Sequence, residues 1–324
     1  MKLFLTGALV CVASLIIAQP KMISVSFLKN DGKYVNNKDS ADYFRLVSVP
    51  DSGTLLFNVT EYYKDGKRKL IGKTSKVEPP VFEEQCATFY ENGKRESTSN
   101  YKDGVHVGDE YDFYPNGKPY LVKEFPDNND PNNDFTDNFL IKANYDSLGT
   151  VLVENGNGYF KGFDDKFTYT NEEGPVKNEK REGAWKGFFK NTKTNFFENY
   201  RAGELIDGKA TDGSGVSVVY TKSRLTPPRF PGGIDAFYQY LGRHIIYPDD
   251  DRRNNVQGQV IIIFYVEKTG KLSDIKVSKS ATRTLDDEAI RVIKNCPVWV
   301  PGTLFGKPQR VAYQVPIVFA LSDH

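Results

Sequence analysis

Three histidines, His106, His244 and His324, are the only imidazoles in this 324-residue chain. None stands at the His-Glu-x-x-His spacing that puts two imidazoles on one helix face to hold zinc. No Gly-x-Ser-x-Gly elbow exposes a serine nucleophile. Asp249-Asp250-Asp251 runs straight into Arg252-Arg253, which reads as a solvated charge cluster rather than an acid–base pair. The run Asp127-Asn128-Asn129-Asp130-Pro131-Asn132-Asn133-Asp134 has the composition of a calcium loop. An EF-hand needs Gly at its sixth position and Glu at its twelfth. Counting from Asp127 those positions hold Asn132 and Asn138, and from Asp130 they hold Phe135 and Ile141, so a solvated loop is expected. Gly232-Gly233, after Arg229-Phe230-Pro231, lacks the Gly-Lys-Ser/Thr ending and the preceding strand of a phosphate loop, and reads as a tight entry into a helix. The expectation is no enzyme, no metal and no cofactor. What remains is a function argued as binding.

The residue that points there is Pro316. Over Arg310 to Leu321, Val311, Tyr313, Val315, Ile317 and Phe319 alternate onto one face, as in a strand. Proline has no N–H for a ladder and is confined to edges or bulges, so this strand is expected at an edge. An open edge offers unpaired N–H and C=O groups to an extended peptide. The same proline also suits a strand blunted against unwanted pairing. On the binding reading, Val311 to Val315 (Val311, Ala312, Tyr313, Gln314, Val315) and Val318 to Leu321 form the docking edge. Arg310 and Gln314 then either touch the partner or are plain solvent-facing positions. Trp299, between Pro297 and Pro301, reads as a core or rim aromatic.

The elements that must position this edge are legible around it. Ile234, Phe237, Leu241 and Ile245 mark one helix face, and Tyr247-Pro248 ends it, because the residue before proline is pushed out of the helical region. Val260 to Val266 is a strand apolar on both faces and therefore expected to be central. Leu272 to Ser280 returns beside it after the turn Glu267-Lys268-Thr269-Gly270-Lys271. A second helix is expected with Thr284 as its N-cap, answered by Asp287, and with Leu285, Ala289, Val292, Ile293 and Cys296 as its buried stripe. The order helix, strand, strand, helix, strand packs as a three-stranded antiparallel sheet with both helices on one side, a two-layer α+β arrangement.

One ordered series runs through this region: Arg229-Phe230-Pro231-Gly232-Gly233, Tyr247-Pro248, Val256-Gln257-Gly258-Gln259-Val260, Leu285-Asp286-Asp287-Glu288-Ala289, Trp299-Val300-Pro301-Gly302 and Gly306-Lys307-Pro308. It resembles the C-terminal domain of the TonB family, in the Bacteroidetes-type form, and covers about a third of the chain. The resemblance implies the same fold order. It also implies that the last strand pairs with a short TonB-box segment of an outer-membrane transporter in TonB-dependent transmembrane transport, with Tyr247 near the peptide-binding face. The chain departs from the family upstream. The long Pro-, Glu- and Lys-rich spacer is replaced by other sequence, and the first segment looks cleavable; a chain without its anchor transmits no pulling force. The alternative is a structural envelope protein that binds peptidoglycan or other envelope proteins without energy transduction.

Residues 19–225 are polar, aromatic and punctuated by glycine. Tyr63-Lys64-Asp65-Gly66-Lys67, Tyr90-Glu91-Asn92-Gly93-Lys94 and Tyr114-Pro115-Asn116-Gly117-Lys118 are alike, with a later echo at Gly183 to Phe189. Asp-Gly and Asn-Gly are hairpin signals, since both tolerate the positive φ of two-residue turns. The pattern is that of an antiparallel β-hairpin repeat region in which each repeat buries its face against its neighbours, and it resembles the MORN-like repeats of YwqK-type proteins. The organisation expected is residues 1–18 as a signal peptide, 19–225 as repeats and 226–324 as the TonB-like domain. Lys2, the apolar stretch Leu3 to Ile17, and Ala18 before Gln19 carry the export reading. They place the protein in the periplasm, or anchored in the inner membrane and able to meet motor proteins there if the segment is retained. A net charge of +1 gives no long-range attraction to nucleic acid. Cys86 and Cys296 are expected to be two separate buried thiols.

Overall fold

The computed structural model describes residues 21–126 and 139–321. The expected signal segment and the Asp127–Asp134 run lie outside the described residues. The chain divides into two compact units, one of residues 1–129 with 147–149, the other of residues 130–146 with 150–324.

The first unit is an antiparallel meander. Strands Met22–Leu28, Tyr43–Ser48, Phe57–Tyr63, Arg68–Val77, Pro80–Phe89, Arg95–Lys102, Gly108–Phe113 and Pro119–Phe125 each pair with the next. The three similar segments form its turns, and each conserves one bonding scheme. The Tyr63 N–H donates to Lys67 O, the Gly66 N–H to Tyr63 O, and the Lys67 N–H to Asp65 Oδ1; Tyr90 to Lys94 and Tyr114 to Lys118 repeat it. Only Gly66, Gly93 and Gly117 take positive φ there; the Asp or Asn before them does not. These are therefore longer loops closed by a left-handed glycine and a bulge, not the two-residue turns expected. Two-residue turns occur elsewhere, at Asp103-Gly104, Asn155-Gly156 and Ala202-Gly203, where both residues have positive φ.

The motif side chains bind one turn to the next. The Tyr63 hydroxyl donates to Phe89 O and the Tyr90 hydroxyl to Phe113 O. Asn92 donates to Pro115 O and Lys94 to Asn116 O, and Asn116 and Lys118 donate in turn to Ser147 O and Leu148 O. Tyr, Asn and Lys recur because each turn satisfies the free carbonyls of its neighbour.

The second unit begins with another meander, strands Leu140–Tyr145, Val151–Glu154, Asn157–Phe163, Thr170–Lys177, Gly183–Phe189, Thr194–Arg201, Glu204–Thr211 and Ser217–Tyr220. Its buried face sets aromatic rings on glycines. A Cβ at Gly174 would lie 2.4 Å from Trp185, one at Gly187 2.2 Å from Phe196, and one at Gly208 2.5 Å from Tyr220. Among the rings lies a charge-balanced cluster. Arg181 grips Glu172 with two bonds of 2.6 and 2.7 Å, and Arg224 bridges Glu172 at 2.8 Å and Glu198 at 2.6 Å. Burial pushes the Glu172 carboxyl up, but Arg181 and Arg224 more than offset it and bring it down to about 2.

The unit ends in the α+β domain. Helices Gly233–His244 and Arg283–Lys294 cover one face of a three-stranded antiparallel sheet ordered Leu272–Lys279, Gly258–Val266, Val311–Phe319. Phe237, Leu241, Leu285, Val292 and Ile293 from the helices meet Val260, Ile262, Phe264, Val315, Ile317 and Phe319 from the sheet in one core. The strand Gly258–Val266 is central, as its two apolar faces required. The first helix is entered through Gly232 and Gly233, both at φ 86°, which only glycine adopts without strain.

Two local expectations are corrected. The N-cap of the second helix is Thr282, whose hydroxyl accepts from the Leu285 N–H at 3.2 Å. Thr284 is spent instead on Asp251, to which it donates. Two nearby hydroxyls were available, and only the tertiary partner decides between them. Asp249–Arg253 is a short helix with Arg252 on Asp249 and Arg253 on Asp250, and its Asp251 is buried. Cys86 and Cys296 are free thiols, pushed by burial to about 12 and about 11. The thiol form that burial favours is the weaker nucleophile.

Candidate peptide-binding edge

The last strand follows from its alternating side chains. Val315, Ile317 and Phe319 are buried, and Ala312, Gln314, Pro316 and Val318 are exposed, Val318 at 65%. It pairs with the central strand in an unbroken antiparallel register from Val266↔Val311 to Gly258↔Phe319. On its other side, among the described residues, no strand pairs with it. Pro316 stands opposite Ile261 within this ladder and does not interrupt it.

The opposite edge, Leu272–Lys279, is built differently. Its register shifts between Ile261 and Ile262 and again between Ile263 and Tyr265, and Asp274 has φ 49°. Lys276 and Lys279 are exposed on it. Bulges and lysines are the devices that keep an edge from pairing. The sheet therefore has one regular edge and one blunted edge.

The candidate residues fall into distinct groups. Tyr313 packs against Trp299, with ring centroids 5.0 Å apart, and against Phe264, and burial pushes its phenol up. Trp299 is 2% exposed and belongs to the core. Tyr247 sits beside the far end of the strand; its ring meets Phe319 edge-on and its hydroxyl donates to Val256 O. Val311 and Val315 face inward, and Ala312, Gln314 and Val318 outward. Arg310 is engaged within the domain. Its guanidinium lies 3.5 Å from the Tyr265 ring centroid and pairs with Glu267 at 2.7 Å and with Asp274. The hydrogen bonds from Ser273 and Arg310 hold the Glu267 carboxyl below the usual range. Arg310 thus staples the start of the last strand across the sheet.

Reasoning from sequence left out one part of the surroundings, the hairpin Thr303–Leu304 and Lys307–Pro308 just before the strand. Phe305 at its tip is buried, and no local feature of the sequence marks it as such. His244 stacks on Tyr240 and shares its Nδ1 with Tyr240 O. Among the described residues no cluster of His, Cys, Asp and Glu could hold a metal ion, and no described helix is long and apolar enough to cross a membrane.

Residues 243–321 match the family model of the Gram-negative bacterial TonB protein C-terminal region, a family without enzymatic activity whose members are envelope-associated. Among solved structures, the solution structure of the Helicobacter pylori TonB C-terminal domain, residues 179–285, is similar at 24% identity and a TM-score of 0.22. The match covers 29% of this chain and 89% of that one. No curated protein matches.

Proposed function

We propose that this protein is a TonB-like binding protein of the cell envelope whose strand Val311–Phe319 takes up an extended segment, the TonB box of an outer-membrane transporter, by strand addition. The observation that carries this reading is the asymmetry of the sheet: one edge bulged and lysine-bearing, the other a regular nine-residue strand with no strand on its outer side among the described residues. Support from the family is confined to residues 243–321.

Proline gives the edge a polarity. Antiparallel ladders alternate between pairs that exchange hydrogen bonds and pairs that do not. Pro316 has no N–H, so it sits without loss only where its main chain points away from the central strand. By the period of two, Ala312, Gln314 and Val318 point the same way. Their N–H and C=O groups face an incoming peptide, with the carbonyl of Pro316 between them. Val311, Tyr313 and Val315 then hold the strand to the sheet, and Tyr247 supports its far end through Phe319. Arg310 fixes where the strand begins. The periplasm, reached by a cleaved signal, is the compartment this role requires.

The test is a chemical-shift titration with a TonB-box peptide, beside a pull-down on purified cell wall. Shifts at Ala312, Gln314 and Val318 support strand addition. Retention on cell wall alone, with no shift along the strand, would replace it with the peptidoglycan-binding alternative.

A further inference from the structure

The hairpin Thr303–Pro308 joins the α+β domain to the end of the repeat sheet at three independent points. Phe305 fills an aromatic socket on the sheet. It stacks on Phe196, with centroids 5.3 Å apart and planes 23° apart, and meets Phe189 and Tyr220 edge-on at 5.7 Å. Lys307 pairs with Asp212 in the turn before the last repeat strand. At Gly306 a Cβ would meet Val218 at 3.0 Å, Tyr220 at 3.1 Å and the Val219 carbonyl at 3.3 Å, so the tip lies directly on strand Ser217–Tyr220.

The connecting segment is tied down on both sides as well. Leu225 and Thr226 pair with Leu304 and Thr303, and the Thr226 and Thr303 hydroxyls are 2.7 Å apart. Arg224, one residue earlier, is the cation that bridges Glu172 and Glu198 inside the sheet and lies over the Phe196 ring at 4.4 Å. Beyond the hairpin, Gln309 donates its N–H to Gly302 O and Arg310 is held by Glu267 and Asp274, so no free chain lies before Val311.

Domains joined by a plain linker move relative to one another unless a sizeable apolar interface prevents it. Here the interface is a buried aromatic ring in a socket of three others, flanked by charges that are paired on both sides. We infer that Phe305, Lys307 and Arg224 are positioning residues that hold the edge strand Val311–Phe319 and the repeat strands ending at Tyr220 in one rigid body, so that a partner captured on the edge is presented at a fixed angle to the repeat sheet. The coupling stands on these contacts; only its use in partner capture rests on the proposed function.

The experiment measures distances between spin labels in the full chain, at Asn195→Cys on the repeat sheet and Ser278→Cys on the α+β domain, both exposed, with Cys11, Cys86 and Cys296 replaced by alanine. The wild-type contacts should give one narrow distance distribution. The variant Phe305→Ala/Lys307→Ala, read only if its circular dichroism is native, should lose the narrow peak. A broad wild-type distribution overturns the inference without any variant. So does a narrow peak retained by the folded double variant. TonB-box affinity, measured on the same proteins, should be unchanged by the double variant, since it leaves the edge intact. A peptide that does not bind the wild type sinks the binding role, and the distances still decide the coupling.

Discussion

Replacing Gln314 with proline separates the two sides of the last strand. If Gln314 points its main chain outward, as Pro316 must, then Gln314→Pro removes a donor offered to the partner and none used by the sheet. The inner ladder and the buried side chains Val315, Ile317 and Phe319 are untouched. A net hydrogen bond contributes about 0.5–1.5 kcal/mol, so affinity for a TonB-box peptide should fall roughly two- to tenfold or more, with the ring adding its bulk against the incoming strand. Stability should change little. Val315→Pro is the matched contrast. It removes a donor to the central strand and a side chain only 3% exposed, at a cost of about 1–3 kcal/mol for the acceptor left unpaired, beside the lost burial of the valine. Peptide affinity by calorimetry and thermal melting of both variants read the two effects apart. A Gln314→Pro protein that is folded and binds like wild type refutes the strand-addition site. A Gln314→Pro protein as unstable as Val315→Pro refutes the assigned polarity.

The buried carboxylate Glu172 should make the second unit acid-sensitive. Its folded value, about 2, lies below the ordinary 4.5. Its contribution is therefore present above pH 4.5 and lost as pH falls toward 2, on the order of 3 kcal/mol, and Glu172→Gln should flatten that part of a stability–pH curve. Gly174→Ala drives a methyl into Trp185 and should destabilise the repeat sheet by about 1–3 kcal/mol in denaturant melts. Thr282→Ala should remove about 1 kcal/mol as the loss of a helix cap. Thr284→Ala tests the bond to Asp251 instead, and helix content measured by circular dichroism should fall only in the first.

Much of the α+β domain is legible in the residues. Period-two and helical spacing identify its strands and buried stripes, and Pro316 marks the edge, because these signals are local and a proline's missing donor is absolute. The turns were legible as turns but not by type. Asp-Gly and Asn-Gly suit both the two-residue turn and the glycine-closed longer loop, and the choice depends on the register of the flanking strands, as the bulges at Tyr62 and Phe89 show. The ladder of Tyr, Asn and Lys bonds between successive turns needs only that the repeat be noticed; its extension to Ser147 and Leu148 was missed, because Asp146 to Thr150 lacks the tyrosine. The Thr284–Asp251 bond, the Glu172–Arg181–Arg224–Glu198 cluster and the Phe305 socket join residues far apart in sequence. Nothing local distinguishes such a phenylalanine or arginine from a surface one until the partner strand is in place.

The central claim is that Ala312, Gln314 and Val318 meet another protein's backbone. A photoreactive residue in place of Gln314 in the full chain, activated in living cells, tests it most directly. The account predicts a crosslink to an outer-membrane transporter, mapped to an extended segment at its periplasmic end and abolished by Val315→Pro. Crosslinks to peptidoglycan-associated material alone, or a transporter crosslink mapping to some other face of the domain, would contradict it.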